Sequence, residues 1–152
     1  MLTDVMKRII QENTIGLVAT VTPDGAPAVS PKATMVILDD THITFSDIRS
    51  PQTARNVKAN PSVELNFIDV FRRQACRVKG KAVYHAKGEA GFEALMHHFT
   101  PWDYLADRIR GYFVVEITNA QHILSPAYDA GADEEALKVE WLGKYTALMG
   151  SD

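Results

Sequence analysis

The sequence predicts a mainly β fold with flanking helices, in which six antiparallel strands form a small closed or split barrel. Apolar and polar residues alternate over several short runs, which is typical of strands with one buried face. Most of these runs follow one another through tight turns, without the strand–helix rhythm of a parallel sheet. Closing the strands into a barrel would remove their exposed edges, which favours a barrel over an open sheet.

The first strands come from the segment IGLVATVTPDGAPAVSPKATMVIL, residues 15–38. We expect two strands here, because the apolar side chains of its first half alternate and Pro23-Asp24-Gly25 turns the chain. The other four predicted strands cover HITFS, residues 63–67, residues 74–85 and YFVVEIT.

Four helices are predicted around the strands. The first ends before Gly16, and the second, residues 51–59, starts at Ser50-Pro51 and stops at Asn60-Pro61. A third follows the fifth strand, and a fourth begins at about Asp133. The residues that give the first, third and fourth helices an apolar face are Leu2, Val5, Met6, Ile9 and Ile10; Phe92, Leu95, Met96 and Phe99; and Leu137, Trp141, Tyr145 and Leu148.

Length and composition favour one globular domain spanning residues 1–152. Hydrophobic residues make up 46% of the chain and charged residues 23%, values that are ordinary for a soluble protein. The single cysteine, Cys76, fits a reducing compartment. No signal peptide or apolar run long enough to span a membrane is visible. We therefore expect a cytoplasmic protein without membrane contact.

The charge is unevenly distributed along the chain. Residues 49–81 carry eight basic side chains and two acidic ones, so this segment is +6 within a protein whose net charge is −3. A local basic field in an acidic protein indicates a small anionic ligand better than a nucleic-acid backbone. The aromatic residues also do not interleave with the basic strand as a single-strand binding surface requires. No nucleic-acid partner is expected.

A candidate anion site lies where the third strand passes into the second helix. Ser50 at the N-cap and Pro51 at the first helical position would be explained by helix capping alone. The alternative is that the free amides of the helix start hold a phosphate. The hydroxyls of Ser46, Ser50 and Thr53 cluster there beside Gln52, Arg49 and Arg55, which together supply short donors and positive charge.

The fifth strand separates into two faces. Period-two alternation puts the cations Arg77, Lys79 and Lys81 on one face; the other, core face carries Cys76, Val78, Gly80, Ala82 and Tyr84. The residues alone leave two interpretations open for Arg77, and also for Lys32 in the second strand. Each is either a solvated surface charge or a ligand for an anion.

Other kinds of site lack their signatures. His97 and His98 are adjacent on a helix and point in different directions, and neither HExxH nor CxxC occurs, so no metal site is predicted. No GxSxG element supports serine hydrolysis. Neither GxGxxG nor a P-loop is present to support a Rossmann or nucleoside triphosphate site.

The ordered set of motifs resembles the pyridoxamine 5′-phosphate oxidase-like FMN-binding split barrels. The matching segments are GLVATVTPDGAPAVSP, THITFSD, RSPQTARNVKANPSVEL and CRVKGKAVY, and the resemblance covers most of residues 13–145. The chain is also similar to a short subgroup with the pattern SPQT-x-x-N-x-x-x-NP, here Ser50 to Thr53, Asn56 and Asn60-Pro61, followed later by SPAYD, residues 125–129, and a final helix.

The resemblance implies a homodimer with two flavin sites at the subunit interface. It implies that Lys32, Ala33 and Thr34 lie along the flavin and that Ser46 and Asp47 reach the ribityl chain and phosphate. The turn of Ser50, Pro51, Gln52 and Thr53 would bind the phosphate, and Arg77 would face the cofactor. Where many relatives have Ser-x-Lys, this chain has Gln52 and Thr53, so Lys32, Arg49 or Arg77 would supply the positive charge.

What the resemblance implies about function is an FMN-binding flavoprotein, an oxidoreductase acting on an unknown small molecule. Pyridoxamine 5′-phosphate oxidation itself is not expected, because the chain lacks the basic C-terminal strand that helps those enzymes hold their substrate. No catalytic acid or base stands out in the sequence. The alternatives are a flavin- or haem-binding module without turnover, or an enzyme that uses the deazaflavin F420.

Overall fold

A computed structural model describes residues 1–150 of the chain. Its strands are β1 (Gly16–Val21), β2 (Pro27–Lys32), β3 (Met35–Asp39), β4 (His42–Asp47), β5 (Ser62–Asp69), β6 (Gln74–Ala86) and β7 (Gly111–Leu124). The helices are α1 (Asp4–Glu12), α2 (Pro51–Ala59), α3 (Ala90–Leu95) and α4 (Glu134–Met149). A 3₁₀ segment, Met96–Arg108, follows α3.

The strands form one antiparallel sheet in the order β2-β1-β5-β6-β7-β4-β3. This confirms the predicted mainly β, antiparallel class with flanking helices. The edge strands β2 and β3 are consecutive in the chain, and only Ala33 and Thr34 separate them. Three Cα–Cα steps of ~3.8 Å cover roughly 11 Å at most, so the two edges must come close together. The sheet therefore curls into a barrel that is split between β2 and β3.

The predicted number of six strands is wrong, because the second predicted strand is two. It breaks at Ala33 and Thr34, since β2 pairs with β1 whereas β3 pairs with β4. Thr34 turns inward at this point, and its hydroxyl accepts a hydrogen bond from the Ser46 amide at 3.1 Å. The apolar run alone did not show this change of partner.

The barrel interior holds the main core, in which Phe45 and Phe113 stack with ring centroids 4.6 Å apart. A second apolar cluster lies under α3 and the 3₁₀ segment and contains Phe92, Leu95, Phe99, Ile109 and Tyr112. Met96, grouped with these by helical spacing, is 46% exposed because the α-helix ends at Leu95 and the tighter 3₁₀ geometry begins.

The two-face prediction for β6 is confirmed. Cys76, Val78 and Ala82 are buried in the core, and the intervening cations face outward. At Gly80 a Cβ atom would lie 2.3 Å from the Glu116 carbonyl oxygen, so only glycine fits this bulged position between β6 and β7.

The C-terminal helix α4 packs across one end of the barrel through Leu137, and Tyr145 meets Phe71 edge-on. Leu148, predicted for the same face, is 72% exposed. A polar network fastens this end: Gln74 donates to Tyr128 and Glu134, each at 2.9 Å. Among residues 1–150, no helix is long and apolar enough to cross a membrane.

Candidate functional site

Two cavities meet at the junction of β2, β4 and α2. One, of about 230 Å³, is lined mainly by polar side chains, among them Ser30, Gln52, Thr53 and Asn56; we call it the polar cavity. The other, of about 280 Å³, runs past Ala33 and Thr34 to the aromatic residues Trp102 and Tyr104; we call it the aromatic cavity. They share Lys32, Arg49 and Ser50, so they are adjacent, and we call the two together the groove.

Eight of the ten predicted site residues line this groove: Lys32, Ala33, Thr34, Ser46, Ser50, Pro51, Gln52 and Thr53. Asp47 lies behind it. Arg77 lies elsewhere in the subunit, where its guanidinium bonds Gln121 at 2.6 Å and faces Glu64 at 3.6 Å. The geometry thus brings together the turn and the β2 residues, but not Arg77.

Ser50 begins α2 without capping it through its side chain. Its hydroxyl oxygen instead accepts a hydrogen bond from the Lys32 ammonium at 2.7 Å, and the same ammonium donates to Ser30 at 2.7 Å. Lysine has three N–H donors and each serine hydroxyl keeps its own proton. One Lys32 proton and two hydroxyl protons therefore remain to be donated into the groove.

Burial lowers the pKa of Lys32 below its ordinary value, and the negative charge of Asp47 partly offsets that effect. The direction is that of an ammonium group removed from water without a direct carboxylate partner. An anion bound beside Lys32 would raise the pKa again and stabilise the charged form.

Asp47 organises the turn from behind. Its carboxylate accepts the Ser50 amide at 2.8 Å and the Tyr84 hydroxyl at 2.8 Å, and its side chain is buried. Burial, and then the bond to Asp47, raise the pKa of Tyr84 to about 12. The ammonium of Lys58 lies 4.8 Å from the centroid of the Tyr84 ring. Asp47 therefore holds the main chain of the turn in place and lies behind the surface of the groove.

Thr34 and Ser46 form a second hydroxyl pair in the aromatic cavity. Their oxygens are 2.7 Å apart, and the Ser46 amide also donates to Thr34. Two hydroxyls that share one mutual hydrogen bond keep one further O–H donor between them. This donor is available to an acceptor atom in the cavity.

The start of α2 supplies backbone donors. The first amides of a helix have no intrahelical acceptor, which leaves those of Gln52 and Thr53 at the polar cavity. Asn56, one turn later, is fully buried and donates to Thr20 on β1 at 2.9 Å, which anchors the helix against the barrel. The amide ends of α2 therefore keep a fixed position relative to Lys32.

The groove is electropositive. Its lining in the described part of the chain contains Lys32 and Arg49 and no aspartate or glutamate. A cavity of about 400 Å³ between β1, β5 and β6 does not have this excess of positive charge in its lining, because it contains Glu64, which is paired with Lys79 at 3.7 Å. Within residues 1–150 there is also no group of three or more His, Cys, Asp or Glu side chains placed to hold a metal ion.

Sequence reasoning missed several residues of this region, among them Ser30, Tyr84, Trp102 and Tyr104. Ser30 had a signal, since it lies two residues before Lys32 and so faces the same side of β2. Tyr84 was assigned only to the core. No sequence signal pointed to Trp102 or Tyr104. They come from the distant 3₁₀ segment, which only the tertiary fold brings to the groove.

Comparisons with known proteins agree with this architecture. Three of the similar solved structures are a candidate pyridoxamine 5′-phosphate oxidase from Lactobacillus delbrueckii, an F420 reductase, and an FMN-binding protein from Syntrophomonas wolfei. The first is 25% identical, with 79% of this chain and 93% of that one covered and a TM-score of 0.65. The F420 reductase is 25% identical, with 79% and 98% covered and a TM-score of 0.59.

The Syntrophomonas protein is 11% identical, with 79% and 84% covered and a TM-score of 0.65, and so shows likeness of fold alone. No curated protein matches the chain. The family model described as pyridoxamine 5′-phosphate oxidase matches residues 2–124, most of the chain and all seven strands. With this match and the split-barrel topology, the chain belongs to the pyridoxamine 5′-phosphate oxidase family.

Proposed function

We propose that the protein is a flavoprotein that binds FMN in the groove, with the phosphate in the polar cavity at the start of α2. The observation that carries this proposal is the Ser50 hydroxyl, which Lys32 holds at 2.7 Å while the helix remains without a side-chain cap. The side-chain oxygen of a serine that only caps a helix would accept a hydrogen bond from the backbone amide two or three residues later. Ser50 is instead arranged as a donor beside a cation.

The donor inventory fits a phosphate. Lys32, Ser30 and Ser50 each keep a proton to donate. The free amides of Gln52 and Thr53, which carry the partial positive charge of the α2 N-terminus, lie at the same cavity. Several short donors together with a cation, and no carboxylate in the lining, are what a doubly charged phosphate requires.

The aromatic cavity fits the planar ring of the cofactor. Ala33 and Thr34 form one wall, and Ile48, Trp102 and Leu105 contribute apolar surface. The spare donor of the Thr34–Ser46 pair could serve an acceptor atom of the ring or the ribityl chain. A flavin held there would supply hydride or electron transfer, while the protein's own residues bind, orient and shield it.

Oxidoreductase activity with a reduced nicotinamide as electron donor is part of the proposal. The alternative is a module that holds the cofactor without turnover. Among cofactors, FMN is favoured over haem. The groove lining in residues 1–150 offers no His, Cys or Met for axial ligation, and its one tyrosine, Tyr104, is 79% exposed rather than held in the cavity. F420 is a further candidate on the likeness to the F420 reductase.

A homodimer is proposed as well, as are a small-molecule substrate and a cytoplasmic location. Ile15, just before β1, and Leu17 and Val29, on the outer faces of β1 and β2, are 54%, 38% and 65% exposed, and they offer apolar surface for a second subunit. A dimer would also give Arg77 a route to the groove of the other subunit. Light scattering of the purified protein tests this directly.

The purified protein should retain or take up FMN, seen as flavin absorbance and as FMN released on denaturation. Ser50→Ala should weaken FMN binding, whereas Ser62→Ala should not. Ser62 is a matched control because it also accepts from a lysine, Lys81, at 2.7 Å but lies outside the groove. Equal effects of the two substitutions, or no FMN uptake at all, would contradict the proposal.

Anaerobic mixing of the FMN-loaded protein with NADH or NADPH then separates the two functional candidates. Bleaching of the flavin absorbance on a timescale of seconds supports an oxidoreductase. A flavin that stays oxidised for hours while free dithionite reduces it would favour the non-catalytic module.

A further inference from the structure

A third cavity, of about 360 Å³, adjoins the candidate cofactor groove and is lined by three arginines. Arg49, Arg108 and Arg110 surround it together with Ile48 and Asp107; we call it the arginine cavity. Arg49 also lines both the polar and the aromatic cavities, so the arginine cavity adjoins the groove at this residue.

Main-chain pairing places these arginines side by side. β4 ends at Asp47, opposite Gly111 at the start of β7, and the Arg110 amide donates to the Asp47 carbonyl at 2.8 Å. Arg49 follows β4 and Arg108 ends the 3₁₀ segment that leads into β7. The cluster is therefore built by two segments whose relative position is fixed by the sheet.

Within residues 1–150, the guanidinium groups of these three arginines lack a hydrogen-bonded, ion-paired or aromatic partner, unlike those of the other five. Each of the other five contacts a carboxylate, a glutamine or an aromatic ring: Arg8, Arg55, Arg72, Arg73 and Arg77. Across residues 1–150, no salt bridge or side-chain hydrogen bond joins the guanidinium of Arg49, Arg108 or Arg110 to another residue.

We propose that the arginine cavity is a second anion subsite, which takes a phosphate or carboxylate group of a small molecule bound beside the FMN site. The side chains of all three arginines are exposed, so they present three positive charges at one place beside a single carboxylate, Asp107, and an anion bound there is attracted by all three. Guanidinium groups also offer the paired N–H donors that match phosphate and carboxylate oxygens. This subsite goes beyond the proposed FMN site and does not depend on it.

Two sources could supply the anionic group. It is either an extension of the cofactor beyond its first phosphate, or part of a separate reactant such as a nicotinamide dinucleotide. The shared chemistry is an oxyanion within reach of Arg49 at the junction of the cavities, and the experiment separates the sources.

The test compares Arg108→Gln/Arg110→Gln with Lys138→Gln/Lys144→Gln, a control that removes the same charge from α4. Pyrophosphate binding is measured by calorimetry at low salt, on the FMN-saturated protein and, without FMN, in a Lys32→Met background that weakens phosphate binding in the polar cavity. We expect the arginine variant to bind pyrophosphate at least about tenfold more weakly in both, and the control to stay within about twofold. The wild-type affinity should fall as salt is added.

Unchanged pyrophosphate affinity in the arginine variant, or an equal loss in the control, overturns the subsite. The titration without FMN keeps this outcome separate from failure of the proposed function, because it needs no flavin. If the double variant melts well below the wild type, the single Arg108→Gln substitution at an exposed position replaces it. A weaker affinity for FAD but not for FMN assigns the subsite to the cofactor, and a raised KM for NADPH with unchanged FMN affinity assigns it to the second reactant.

Discussion

Replacing Lys32 by Met tests whether the groove holds a phosphate rather than merely a flavin ring. The ammonium makes two hydrogen bonds of 2.7 Å, to Ser30 and Ser50, and faces a lining without carboxylates. Met keeps the length and most of the volume of the side chain but removes its charge. The affected quantity should be the affinity for the phosphate end of the ligand.

The size of the effect follows from the bond that Lys32 would make. A hydrogen bond between charged groups contributes about 1.5–3 kcal/mol, which corresponds to roughly a 10- to 150-fold change in Kd. The phosphate is absent from riboflavin, so the Kd for riboflavin should change by less than about threefold. The free energy of unfolding should fall by no more than about 1–2 kcal/mol, because two hydrogen bonds to serines are lost but no carboxylate within bonding distance is left unpaired.

The assay is a fluorescence titration of FMN and of riboflavin with wild type, Lys32→Met and Lys81→Met. Lys81 is a matched control, since its ammonium also donates to a serine, Ser62, at 2.7 Å outside the groove. Equal losses for FMN and riboflavin would mean that Lys32 supports the cavity without binding phosphate. No change for FMN would refute the assignment of the phosphate to this place.

Three further predictions concern the turn and the barrel. Ser50→Ala should lower the free energy of unfolding by less than about 0.5 kcal/mol in urea titrations, below the ~1 kcal/mol typical of a lost cap, because Ser50 makes no capping bond. Tyr84→Phe should cost about 1–3 kcal/mol in the same assay, because it leaves a buried Asp47 oxygen without its 2.8 Å donor; a smaller cost would mean that solvent replaces the hydroxyl. The raised pKa of Tyr84 means that its contribution is complete below pH ~10 and is lost as pH rises toward 12, so wild type should lose stability over that window more steeply than Tyr84→Phe. Gly80→Ala should lower Tm by several degrees, because its Cβ would meet the Glu116 carbonyl at 2.3 Å; an unchanged Tm would show that the bulge relaxes cheaply.

The strands and α2 could be predicted because their signals are local. Alternation of side chains along β6 identifies it as a strand, and Ser50-Pro51 marks where α2 begins. The observed α2 matches the predicted residues 51–59. The break at Ala33 and Thr34 could not be predicted from the sequence. It depends on the pairing of β2 and β3 with different strands, which lie far apart in the sheet order.

The candidate site was predictable in the same uneven way. The donors of the turn are contiguous in sequence, so their cluster was visible. The contact of Lys32 with Ser50 spans 18 positions and that of Tyr84 with Asp47 spans 37, and both exist only through the curled sheet. Arg77, predicted for the cofactor from resemblance, faces Glu64 and Gln121 within its own subunit, and its role in binding remains a prediction.

A crystal structure of the protein soaked or co-crystallised with FMN tests the central claim most directly. The phosphate oxygens should lie within about 3 Å of the Ser50 hydroxyl and the Lys32 ammonium, with the ring extending toward Ala33 and Trp102. A phosphate bound away from the start of α2, or a flavin seated on another face of the barrel, would contradict the account.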